Sequence, residues 1–121
     1  MKRSVPQRLA AERRGHKGEA LAAFWLQLHG WRILARRLRT PVGEIDLVVR
    51  RGRTVAFVEV KARASVAEAD LSLDRHRLRR VAAAANAVLA RYVRDGDISR
   101  IDAVFIVPRR WPRHVPDVWQ G

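Results

Sequence analysis

The amino-acid sequence predicts an α/β domain, a mixed sheet with helices packed against it. Three observations lead there. A segment of helical periodicity near the N-terminus precedes two adjacent apolar, β-branched runs, 44–49 and 54–61. A second segment with a strong 3.6-residue period follows over 74–93. A last apolar run, 98–107, stops at Pro108. The order is α-β-β-β-α-β, and long helices on either side of a hairpin favour a mixed central sheet flanked by helices. The chain has 121 residues, the size of one ordinary domain.

Residues 1–14 form a basic arm or an extra helical turn, ending near Gly15. Residues 16–29 read as a helix closed by Gly30 at the position just past its end. Leu21, Trp25 and Leu28 recur at helical spacing with Phe24 beside them. A strand over 31–35 runs into Arg36, Arg37 and Arg39. Residues 64–72 are a polar connection, and Ser72 or Asp74 caps the helix that reaches about Val93. Its apolar stripe is Leu78, Val81, Ala82, Ala85, Val88, Leu89 and Tyr92, and Gly96 lies past its end. The tail carries Trp111, Pro112, Pro116 and Trp119, with no element assigned. The organisation expected is a basic arm at 1–14, the domain at 15–107, and a tail at 108–121 packed on that domain.

Lys and Arg number 25 against 12 Asp and Glu, a formal net charge of +13. A field that positive concentrates polyanions, so nucleic acid is the first partner to consider. An anionic membrane surface or ribosomal RNA comes second, and the competing reading is that some of this charge is a compositional taste for arginine. Cysteine is absent, which removes disulfides, thiolate zinc sites and cysteine nucleophiles. The longest wholly apolar run, 20–26, is far short of the ~20 residues a membrane span needs. Neither a span nor an export signal is read, and a cytoplasmic location is expected.

The hairpin is the informative region. Ile45, Leu47 and Val49 alternate with Glu44, Asp46 and Val48. A two-residue turn at Arg51-Gly52 would set Arg50 opposite Arg53, Asp46 opposite Phe57 and Glu44 opposite Glu59. In that register Glu44, Asp46, Glu59 and Lys61 project from one face, and a one-residue bulge would separate them. Crowded carboxylates repel unless a cation neutralises them. Asp, Glu and a main-chain carbonyl are hard oxygen donors that suit Mg²⁺ or Mn²⁺. A lysine two residues from a ligand can orient water and offset charge on a phosphate. The chain has only three lysines, Lys2, Lys17 and Lys61, among those 25 cations, so an ammonium retained at 61 is notable. The competing reading is a polar sheet face with Glu59 and Lys61 as a surface ion pair.

These residues carry a resemblance. Gly15-His16-Lys17-Gly18-Glu19, Gly30-Trp31-Arg32-Ile33-Leu34, Gly43-Glu44-Ile45-Asp46-Leu47-Val48 and Val58-Glu59-Val60-Lys61-Ala62-Arg63 resemble the YraN family of small bacterial proteins. That family is similar to the PD-(D/E)XK nuclease superfamily and, within it, to archaeal Holliday-junction resolvases. The resemblance covers about 15–107. It implies a restriction-endonuclease-like α-β-β-β-α-β core and a metal-dependent endonuclease, with branched or otherwise structured DNA as substrate. By the same resemblance Asp46 and Glu59 hold Mg²⁺ or Mn²⁺ together with the Val60 carbonyl. Lys61 is then the catalytic lysine, Glu19 on the first helix supports metal or water, and Glu44 stands behind the ligands. Where relatives open the second long helix with lysine, this chain has Arg75-His76-Arg77.

Arg36, Arg37, Arg39, Arg63, Arg75, Arg77, Arg79 and Arg80 are the candidate contacts to a nucleic-acid backbone, since arginine pairs phosphate bidentately. Each can equally be part of a solvated face. DNA is the favoured partner, and a homodimer would suit paired cuts on a symmetric junction. Asp102 lies in an apolar strand and calls for a buried partner, such as an arginine. The four histidines show no metal-ligand spacing and receive no chemistry. The rival function is a non-catalytic nucleic-acid-binding protein, for DNA or RNA, on a nuclease-like fold.

Overall fold

A computed structural model describes residues 4–71 and 74–121, leaving aside the side chains of 11–15, 70 and 71. The candidate cap Ser72 therefore lies outside the described residues, and Asp74 is the cap observed, its carboxylate accepting from the Arg77 amide at 2.8 Å. The first helix, α1, spans Val5–Leu28. Residues 5–14, read as an arm or an extra turn, are its N-terminal part. The reason is a cap the sequence carries: the Gln7 amide donates to the Ser4 hydroxyl, the Gln7 side chain accepts from the Ser4 amide, and Pro6 pre-sets the first turn. At the other end Gly30 takes φ +87 and lets the chain turn back, with the Trp31 amide bonded to Leu26 O.

Strands β1 (Arg32–Thr40), β2 (Gly43–Arg51) and β3 (Thr54–Ala62) form an antiparallel meander. Strand β4 (Ile98–Ile106) lies parallel to β3, which requires a crossover. That crossover consists of α2 (Val66–Leu71), α3 (Arg75–Ala87) and α4 (Leu89–Tyr92). The tail adds β5 (Arg113–Val115), antiparallel to β4, so the five-stranded sheet runs β1-β2-β3-β4-β5. This is the mixed α/β architecture expected, with one edge strand more.

Several local expectations are corrected. The polar connection at 64–72 contains α2, started by Ser65, whose hydroxyl accepts from the Glu68 amide; Ser65 three residues ahead of Glu68 is a capping signal the sequence held. The long helix breaks at Val88, whose amide bonds to Ala85 O three residues back. The hairpin loop is Gly52-Arg53, because Arg51 pairs with Thr54 and Gly52 takes φ +61. The expected register is therefore shifted by two residues, which keeps the parity of facing along the paired stretch from Leu47 to Arg51.

Apolar packing covers both faces of the sheet, with a smaller third cluster where Ala69 of α2 meets Ala103 and Phe105. On one side Ala22, Ala23 and Leu26 of α1 meet Leu47, Val49, Ala56, Val58 and Val104. On the other, Leu78, Val81, Ala84 and Ala85 of α3 meet Ile45, Val48, Val55 and Phe57. The α1 face thus differs from the one expected: Leu21, Phe24 and Leu28 are exposed, and small alanines face the sheet. Close approach explains the choice. A Cβ on Gly18 would lie 2.7 Å from the Ala62 Cβ, so α1 rests almost directly on β3. Buried Trp31 closes the end of this core, with the Arg51 guanidinium 4.4 Å from its ring centroid.

Candidate active site

Strict alternation fails twice in the sheet: at a bulge between Ile33 and Ala35 on β1, and beside Asp46 on β2. Ile45 packs in the α3 core, yet Leu47, two residues on, packs in the α1 core. The neighbouring strand bends with it: Arg37 takes φ +48, and the ladder between β1 and β2 passes from Arg36–Leu47 to Leu38–Ile45. Asp46 sits at this kink. On its other side the β2–β3 ladder ends at Leu47–Val58; one step further, Asp46 falls opposite Glu59. The Asp46 carboxylate there accepts the Val60 amide proton at 2.7 Å, taking the part of a ladder partner.

Glu59 and Lys61 lie two residues apart on central β3 and share its α3 face. Both are almost completely buried, at 2% and 1% exposure. Lys61 Nζ is 3.1 Å from Glu59 Oε1, and Arg77 Nε on α3 donates to the same oxygen at 2.6 Å. From the opposite side α1 brings Glu19, which holds Arg37 Nε at 2.7 Å. Asp46 therefore stands between a carboxylate from β3 and one from a helix.

The electrostatics follow from this crowding. Burial, together with the charges of Glu59 and Glu19, pushes the Asp46 carboxyl from 3.8 up to about 7, against the Val60 hydrogen bond and Arg77. Burial also lowers the Lys61 ammonium from its ordinary value, although Glu59 opposes the shift. A carboxyl and an amine drawn toward neutrality within one cluster mark a candidate site for chemistry.

The structure thus gathers Asp46, Glu59, Lys61 and Glu19. Val60 joins through its amide. Glu44 does not join: it is exposed, opposite Arg39 in the ladder, because the kink at Asp46 breaks the single face that the sequence suggested. The arginines divide. Arg37 and Arg77 sit on the carboxylates, Arg36 and Arg37 line a cleft of about 220 Å³ with His16 and Glu19, and Arg39 and Arg80 are exposed. Arg63 caps the end of β3, its guanidinium donating to Ala62 O. Arg75 lies over Trp119 at 5.3 Å, and Arg79 lines a cleft that includes Trp119, so these two face the tail. Asp102 has the arginine partner expected, Arg100 at 2.9 Å, and also His114 at 2.7 Å and the Asp117 amide at 3.0 Å. Arg100 two residues away on the strand was legible; His114, brought by β5, was not.

The donors at Asp46 and Glu59 are hard oxygens of the kind a divalent cation takes, and the Asp46 carboxyl is raised first by burial and then by the charge of Glu59. Among the described residues, no three carboxylates or histidines are gathered closely enough to hold an ion as they stand. No helix among them is long and apolar enough to cross a membrane.

Fold and site together define a small mixed α/β protein whose kinked sheet brings the half-buried Asp46 beside buried Glu59, with Glu19 and two arginines around them. The chain belongs to the Uncharacterised protein family UPF0102, whose model matches residues 18–106; this is the YraN family indicated by the sequence motifs. It is similar to the UPF0102 protein of Sphingopyxis alaskensis, 59% identical over 113 residues, covering 93% of this chain and 97% of that one. It is also similar to that of Rhizorhabdus wittichii, 53% identical over 115 residues and covering 95% and 98%. The UPF0102 protein of Erythrobacter litoralis is 53% identical over 114 residues, covering 94% and 98%.

Proposed function

We propose that this protein is a metal-dependent endonuclease acting on DNA, with a restriction-endonuclease-like core, and that branched or otherwise structured DNA is its substrate. The observation that carries the reading is the convergence of Asp46, Glu59, Lys61 and Glu19 at the sheet kink, with the Asp46 carboxyl raised to about 7. Asp46 and Glu59 would hold Mg²⁺ or Mn²⁺. A divalent cation there supplies charge for a phosphate oxygen and lowers the pKa of a bound water. Lys61, buried and with its ammonium lowered from the ordinary value by that burial, orients water at the reacting phosphate. Arg77 and Arg37, with side chains about half exposed, offer guanidinium groups to the phosphates on either side. The net charge of +13 supplies the long-range attraction for the duplex.

The test is cleavage of linear, flapped and four-way DNA and of RNA with Mg²⁺ or Mn²⁺. Asp46→Ala and Lys61→Ala are expected to abolish cleavage and leave DNA binding intact or tighter. Cleavage by Asp46→Ala equal to that of the parent chain refutes the assignment. A second reading, non-catalytic nucleic-acid binding, is favoured by one observation: Glu59 and Glu19 are already neutralised by Arg77 and Arg37. It expects binding that falls steeply with salt, and no turnover on any substrate.

A further inference from the structure

The outer face of α1 is apolar where a solvated helix should be polar. Leu21, Phe24 and Leu28 are each more than half exposed, and Trp111 beside them is 82% exposed. They line a cleft of about 440 Å³ between α1 and the turn after β4. A second cleft of about 420 Å³ lies across Trp111, sharing Val107, Arg109 and Arg110 and reaching Val66 and Phe105. Large apolar side chains on a concave surface mark a place where another molecule docks. Trp111 is not free to collapse: its ring is held 5.6 Å from that of Trp25, tilted, so the wall between the two clefts is preformed.

We infer that this double cleft is the docking site for an acidic, amphipathic peptide segment of a partner protein, with one or two large apolar residues set among Asp or Glu. Charge selects the occupant. Lys17, Arg109 and Arg110 rim the clefts, and no acidic side chain among the described residues lines either one. A second copy of this chain would set the same basic rim against itself on molecules that each carry +13. Binding of an apolar anchor in a pocket with a charged surround is the ordinary design of a peptide groove.

The experiment pans a random dodecapeptide phage library on the full chain, with excess duplex DNA present to occupy the basic surface at large. Enriched peptides are expected to combine acidic with large apolar residues. Labelled synthetic copies should bind Trp111→Ala at least about tenfold more weakly, and the double variant Arg109→Glu, Arg110→Glu likewise. Thermal unfolding of both variants should match the parent, because the altered side chains are exposed. Absence of enrichment, enrichment without acids, or unchanged affinity for Trp111→Ala overturns the inference. So does a concentration-dependent dimer in sedimentation that Trp111→Ala abolishes. Binding to phosphatidylglycerol vesicles that is lost in Trp111→Ala while peptide binding persists overturns it too.

Discussion

Replacing Asp46 by Asn should stabilise the fold, and by more as pH rises. In the folded chain the Asp46 carboxyl is raised from 3.8 to about 7 by burial and by Glu59 and Glu19. Below about pH 4 the carboxyl is protonated in folded and unfolded chains alike and the raised value costs nothing. Between about pH 4 and 7 the unfolded chain ionises first, so stability drains away; above about pH 7 the loss is complete and constant. The full gap amounts to about 4 kcal/mol at 1.36 kcal/mol per pH unit. Between pH 5 and 8 the part that develops is about 2–3 kcal/mol, or roughly 10 °C in Tm for a domain of this size. Asn keeps an oxygen to accept the Val60 amide proton, so the substitution removes charge and little else. Urea unfolding of the parent and Asp46→Asn at about pH 5 and about pH 8 measures the difference. If the advantage of Asn is the same at both pH values, Asp46 is not a carboxyl held up by burial beside Glu59 and the reading of the site collapses.

Mg²⁺ or Mn²⁺ should stabilise the parent at pH 8 by about 1–3 kcal/mol at ten to a hundred times Kd, and leave Asp46→Asn and Glu59→Gln unchanged in a thermal shift assay. Asp102→Ala should cost about 3–5 kcal/mol in urea unfolding, since it strands Arg100 and His114 around a fully buried position. Burial raises the Asp102 carboxyl, but hydrogen bonds from His114, Arg100 and the Asp117 amide outweigh it and hold it below its ordinary value. Its contribution is therefore present above the ordinary carboxylate range and is lost as pH falls through its lowered folded value, so Asp102→Asn should flatten the acid limb of the stability curve. Gly18→Ala should destabilise by about 1–3 kcal/mol by forcing α1 off β3, and Ala62→Gly in the same chain should restore most of it, read as a double-mutant cycle.

Periodicity, caps and glycines were enough to place most of the elements. Gly30 ends α1, Asp74 starts α3, and the apolar runs at 44–49, 54–61 and 98–107 became β2, β3 and β4, because each signal acts through backbone geometry within a few residues. Glu59 and Lys61 were assignable to one face of a strand for the same reason. The three-residue strand β5 was not legible, since its pairing with β4 depends on Asp102 reaching His114 across twelve residues of chain.

Local spacing alone sets the order of the elements and puts acids and a lysine on adjacent strands. Which of those groups meet was decided by the tertiary structure. A kink at Arg37 and Asp46 turned Asp46 toward both Glu59 and Glu19 and left Glu44 outside. Contact with the sheet through Gly18 made the alanines of α1 its inner face and turned Phe24 and Leu28 to solvent. Such outcomes depend on how closely two elements approach, and that distance is set by all the side chains between them together.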